Sequence, residues 1–138
     1  MNRILWIAGL VIVLLLWTGC GGGTNTGAPT PATLVRPRST ATLAITAPAP
    51  GAVISGTTLH VRLKLTGAEI VPQTSSTLSP DKGHIHLSLD GRVVSMAYGV
   101  EQDVPATPGV HLLLAEFVAT DHFPFNPRVI STVTFTVK

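Results

Sequence analysis

A chain of 138 residues with a single cysteine, 12 % charged residues and a net charge of +2 excludes several roles at the outset. It can form no intrachain disulfide, so a folded domain must stand on its hydrophobic core alone. The nine Lys/Arg are scattered, with no basic run and no interleaved aromatic platform, so no nucleic-acid partner is expected.

The chain begins with a short basic stretch, Met1-Asn2-Arg3, and an almost uninterrupted apolar run from Ile4 to Trp17. That run is shorter than the roughly 20 apolar residues of a spanning helix and fits the hydrophobic part of a signal peptide. Leu16-Trp17-Thr18-Gly19-Cys20 resembles a bacterial lipobox: small residues stand just before the cysteine, with Trp17 where that motif normally carries Leu. The resemblance implies that residues 1–19 are a lipoprotein-type signal peptide and that Cys20 becomes the lipidated N-terminus. The protein would then be exported and held to a membrane on its extracytoplasmic face, in the periplasm or at the cell surface. An ordinary signal peptide or an uncleaved anchor would export it as well.

Residues 20–40 open with Gly21-Gly22-Gly23 and continue rich in Thr, Pro and Ala, with Arg36 and Arg38. Such a composition cannot bury a core and reads as a flexible spacer. From residue 41 to 138 the pattern changes to short apolar alternations separated by turn residues. Leu43 to Thr46 reads as a strand, and Val53-Ile54 rejoins the sheet after a Pro/Gly break. Leu59, Val61, Leu63 and Leu65 alternate with His60, Arg62, Lys64 and Thr66 in a clear amphipathic strand. Residues 67–82 are mostly loop.

The strand Gly83 to Asp90 carries the most unusual chemistry. Ile85, Leu87 and Leu89 share one face, and His84, His86, Ser88 and Asp90 the other. This turns two imidazoles away from the core, and Asp90-Gly91 supplies a hairpin turn. Val94, Met96 and Tyr98 alternate as core residues do. A strand follows from Gly109 to Val118, whose facing is ambiguous because Leu112 and Leu114 compete with Leu113, Ala115 and Phe117. A turn-rich segment, residues 120–128, leads to a last strand, Val129 to Val137. About seven strands without helical period predict an all-β, antiparallel sandwich of immunoglobulin type.

Three stretches carry a resemblance to an exported bacterial Ig-like family of unknown function. They are Gly83-His84-Ile85-His86-Leu87, Pro108-Gly109-Val110-His111-Leu112-Leu113, and the turn around His122. The opening Thr46 to Gly56 is likewise similar to the start of bacterial Ig-like domains. The resemblance implies export and the sandwich fold; it implies no activity.

Histidine is the commonest metal ligand, and residues at i and i+2 of a strand can face one ion. A candidate site therefore combines His84 and His86 with either His111 or His122, around zinc or copper, with Asp81, Asp90 or Asp121 to complete it. The competing reading is structural. His84 and His86 would bond loop carbonyls of residues 67–82, His111 would serve as a corner residue bonding back to its loop, and His122 would cap its turn. A blue-copper centre is excluded, since it needs a Cys thiolate beside two His. Phe123 and Phe125, stiffened by Pro124 and Pro127, form a candidate binding loop or else fold over the end of the sandwich. No nucleophile elbow, Walker loop or HExxH motif is present, and no catalytic activity is expected. The chain thus reads as a membrane-anchored, non-catalytic binding or structural module of the cell envelope, for an unknown protein or small ligand. The alternative is an extracytoplasmic copper- or zinc-binding protein using the His-x-His strand.

Overall fold

A computed structural model describes residues 35–72 and 77–138. The signal peptide, Cys20 and most of the spacer lie outside the described residues. Among the described residues nine strands follow one another: β1 (Thr42–Ala47), β2 (Val53–Ile54), β3 (Thr58–Thr66), β4 (Glu69–Ile70), β5 (Lys82–Leu89), β6 (Arg92–Ser95), β7 (Glu101–Pro105), β8 (Gly109–Ala119) and β9 (Pro124–Val137).

Two-residue alternation builds the core as expected. On β3, Leu59, Val61 and Leu63 are buried while His60, Arg62 and Lys64 are exposed. On β5, Ile85, Leu87 and Leu89 are buried on one face. A three-stranded sheet, β1-β3-β7, lies against a six-stranded one ordered β2-β9-β8-β5-β4, with β6 paired to β5. The main ladders are antiparallel; the short β2–β9 and β4–β5 pairs are parallel. The inner faces of both sheets feed one core, in which Leu59, Ile85, Leu87, Leu113, Phe117 and Phe135 are fully enclosed. This is the all-β, immunoglobulin-type sandwich expected from the sequence, with β4 and β7 formed where loops were expected.

Local sequence explains the β5–β6 connection. Leu89 pairs with Arg92, which leaves a two-residue loop, and Asp90 and Gly91 take φ of 52° and 81°. Asp-Gly is the pair that tolerates two successive left-handed residues, and that hand matches the twist of the flanking strands. Gly83 serves a different need. A Cβ there would sit 1.8 Å from the carbonyl oxygen of Val118, so only glycine lets β5 pair with β8 at that point.

Two expectations are corrected and two open alternatives are resolved. Val94, Met96 and Tyr98 are 36 %, 51 % and 48 % exposed, not core residues. β6 pairs only with β5 and stops at Ser95, so alternation there has no opposing sheet to face. The ambiguous β8 resolves with Leu113, Ala115 and Phe117 inward and Leu112 outward. The two candidate loop aromatics part company: Phe125 is buried and stacks on Phe117 with centroids 5.3 Å apart, whereas Phe123 is 63 % exposed. The reason is a break in the β8–β9 register, where Phe117 faces Val129 but Val118 faces Pro124. The intervening residues bulge and tuck one phenylalanine inward. Finally, residues 36–40, read as spacer, bond to the turns before β5 and after β8.

Candidate metal centre

β5 has strand partners on the edge away from β8 only at its two ends. Glu69 and Ile70 of β4 pair with Lys82 and Gly83, and β6 begins its pairing at Leu87. The stretch between them, 84–86, carries the two histidines. Both point away from the core, as alternation requires, yet His84 is fully buried. The outer face of the sheet is covered at this end: the ring of Tyr98 meets His84 edge-on at 5.4 Å between centroids, and that of His122 at 4.3 Å. Facing away from the core thus does not mean facing solvent for His84.

The third histidine arrives from the β8–β9 turn. Ala119 N donates to Phe123 O at 3.0 Å, and His122 N donates to Ala119 O at 3.0 Å. Closing so tight a turn places His122 at φ 67°, a region in which His, Asn and Asp are the least uncommon non-glycine residues. Because β5 and β8 are neighbours, with His84 opposite Val118, the turn after β8 brings His122 back over the start of β5.

Three ring nitrogens converge as a result. His84 Nε2 lies 3.0 Å from His86 Nε2 and 2.9 Å from His122 Nδ1, and the remaining side of the triangle is 3.4 Å. A neutral imidazole nitrogen is either a donor or an acceptor. Among three mutually close nitrogens at most two sides can pair a donor with an acceptor, so one side is always mismatched. A cation at the centre removes that mismatch. A tetrahedral ion with ligands at about 2.0–2.1 Å sets its donors about 3.3–3.4 Å apart, and adjacent square-planar sites at the same lengths about 2.8–3.0 Å. Three donors of a square-planar set would also need one trans pair about 4.0–4.2 Å apart, which no side of the triangle reaches. The triangle therefore closes on a tetrahedral ion with adjustments of a few tenths of an ångström, and on a square-planar one only with larger movement.

Electrostatics keep His84 and His86 in the ligand form. Burial, then repulsion from His122 and His86, pushes the pKa of His84 down to about 4. His86 is lowered by burial and by His122, with Glu116 opposing. Glu116 stands across the ladder from His86, but both its oxygens are engaged by Arg128, at 2.6 and 2.7 Å. His84 Nδ1 has no hydrogen-bond partner among the described residues, so packing and Nε2 orient the ring.

Of the four histidines considered from the sequence, the fold brings together His84, His86 and His122. His111 lies elsewhere. Its Nδ1 meets Asp90 Oδ2 at 2.7 Å and its Nε2 meets Thr107 O at 2.7 Å, the corner role. Among the described residues, neither His84 nor His86 donates to a loop carbonyl of residues 67–82; the imidazoles address one another. None of the three candidate acids joins the cluster. Asp90 binds His111 and the Leu112 amide, Asp121 binds Arg36, and Asp81 binds Ser39 and Thr40. Tyr98 and Arg36 were not anticipated. No local signal marks Tyr98, and Arg36 is 85 positions from its partner.

Two surface hollows are formed elsewhere. One is lined by His60, Arg62, Glu101 and Asp103 among others, the second by Asp90, Val94 and His111 among others. His60 in the first is exposed and paired with Asp103 at 2.6 Å.

Comparison with known proteins finds no matching family model and no matching curated protein. Among solved structures, the chain is similar to fibronectin(III)-like modules of Clostridium thermocellum CbhA. Identity is 19 %, with 70 % of this chain and 95 % of that chain covered, at a TM-score of 0.43. It is also similar to an engineered protein, at 14 % identity over 71 % of this chain and 20 % of that chain, with a TM-score of 0.44. Likeness at this level bears on neither activity nor partner, and the assignment to an immunoglobulin-type β-sandwich rests on the strand order itself.

Proposed function

We propose that this protein is an exported, membrane-anchored module that binds one transition-metal ion, zinc or copper, through His84, His86 and His122, without catalysing a reaction. The observation that carries this reading is the triangle of imidazole nitrogens, 2.9 to 3.4 Å on a side. Loop pinning, the competing role for His84 and His86, would pair each of those two imidazoles with a loop carbonyl, as His111 is paired with Thr107 O. Depressed basicity supports the same reading, since a metal then displaces few protons at neutral pH. Export and lipidation at Cys20 rest on the N-terminal sequence, and the likeness to the exported family rests partly on His84, His86 and His122 themselves.

The test uses the full chain in detergent, titrated with Zn(II) and with Cu(II) while thermal unfolding is followed. Saturating metal should raise the melting temperature by at least about 5 °C through preferential binding to the folded state. The H84A/H86A double variant should lose that rise. No shift in the parent chain, or an equal shift in the variant, would overturn the proposal.

A further inference from the structure

A ligand is placed only as well as the turn that carries it. Two turns carry this cluster, Asp81 just ahead of β5 and Asp121-His122 after β8. Each contains a non-glycine residue in the left-handed region, Asp81 at φ 60° and His122 at φ 67°. Such residues persist when their surroundings over-determine them.

One short segment, residues 36–40, holds both turns. Arg36 Nη1 and Nη2 donate to the two carboxylate oxygens of Asp121 at 2.5 and 3.0 Å. The same guanidinium donates from Nε to Pro124 O and from Nη2 to Phe123 O, each at 2.9 Å. Its charge lies 5.8 Å from the centre of the Phe123 ring, which gives that exposed aromatic a local role. Further along, Ser39 Oγ and Thr40 N each donate to Asp81 Oδ1 at 2.6 Å, and Thr40 Oγ1 donates to Oδ2 at 3.0 Å. Between the two grips, Asn126 N donates to Pro37 O at 3.0 Å. The Arg36 and Asp121 side chains are only 19 % and 18 % exposed, so solvent screens this bidentate pair less than a surface one.

We propose that residues 36–40 form a positioning strap for the three-histidine centre, with Arg36 fixing the turn of His122 and Ser39-Thr40 fixing the turn that leads into His84 and His86. Metal affinity is then set partly by the segment that joins the domain to its N-terminal spacer. This rests on the metal-binding reading above. Arg36 is a positioning residue and touches no ion.

The experiment compares zinc affinity, by competition with a chromophoric chelator, and metal-free melting in EDTA, both on the full chain in detergent. Arg36→Gln should weaken zinc by about 10–100-fold, the usual effect of removing a partner that orients a ligand, while metal-free melting changes little. Arg36→Lys should fall between, because an ammonium keeps the charge but not the fork. Ser39→Ala, at the other turn, should weaken zinc severalfold and carries the test should R36Q fail to fold. R62Q, which breaks an exposed pair with Glu101 on the other sheet, should leave affinity unchanged. Parent-like affinity in R36Q and S39A, or an equal loss in R62Q, would overturn the strap. Absence of zinc binding in the parent chain would instead remove the centre itself, and the strap with it.

Discussion

The β5–β8 ladder carries histidines at both ends, and the two ends treat them in opposite ways. Where the Asp90 turn meets the start of β8, His111 has an acceptor for each nitrogen, Asp90 Oδ2 and Thr107 O. Its pKa is raised, chiefly by the Asp90 carboxylate and then by the Thr107 carbonyl. At the other end His84 is buried against two more imidazoles and its pKa is pushed down to about 4. Acceptors make an imidazole a structural clamp that favours its proton. Like groups around a common point make it a base that refuses the proton and suits a cation. The same residue type on the same pair of strands is thus assigned opposite chemistry by what faces it.

The sharpest way to break this comparison is to remove one histidine from each end. His84→Ala should lower zinc affinity by more than about 100-fold, exceeding the outer-partner effect because a ligand itself is lost. His111→Ala should leave affinity unchanged, and chelator competition reads both. Zinc binding that survives H84A, or falls equally in H111A, would dissolve the distinction.

Next in size is a test of the backbone contact that sets His84 on its strand. A methyl at Gly83 would have to displace the Val118 carbonyl, 1.8 Å away. Gly83→Ala should therefore cost about 2 kcal/mol or more in urea unfolding of the metal-free protein. A neutral result would show that the ladder yields at this point more easily than its register implies.

The smallest effect belongs to the clamp. His111→Gln should cost on the order of 1–3 kcal/mol through lost bonds to partly buried groups, and its pH signature has a defined sign. A raised folded-state pKa on His111 means that its stabilisation is complete below the unfolded value, about 6.5, and is lost as pH rises through the folded one. Asp90, lowered first by the Leu112 amide and then by His111, stabilises above its unfolded pKa of about 3.9 and loses this as pH falls. The contribution of the His111–Asp90 pair should accordingly decline on both sides of a window between those values. His84 and His86, whose folded-state pKa values are lowered, instead take stability away as pH falls below about 6.5. In H111Q the alkaline decline should flatten, which denaturant midpoints from pH 5 to 9 would read.

How much of this was legible in the chain depends on the reach of the interactions. Ile85, Leu87 and Leu89 inward, His84 and His86 on the opposite face, and Asp90-Gly91 as a hairpin turn were all readable, because each rests on geometry within a few residues. The choice between His111 and His122 as third member was not. It depends on which strand β8 pairs with and on the turn that follows Ala119. Phe123 and Phe125 looked equivalent in sequence and differ because the β8–β9 register breaks at Val118. Tyr98 looked like core because it alternates, but β6 ends before any sheet lies opposite it.

Alternation, turn chemistry and the scarcity of charge determined by themselves that the chain forms a β-sandwich and that a His-x-His pair lies on an outer strand face. Those are consequences of backbone period and local sterics, which no distant partner can alter. Only the tertiary structure decided that His84 is buried, that His122 completes the triangle, and that Arg36 braces it from far up the chain. Each of these depends on groups brought together by strand pairing across long separations, where neither the partner nor the register is written in the neighbouring residues.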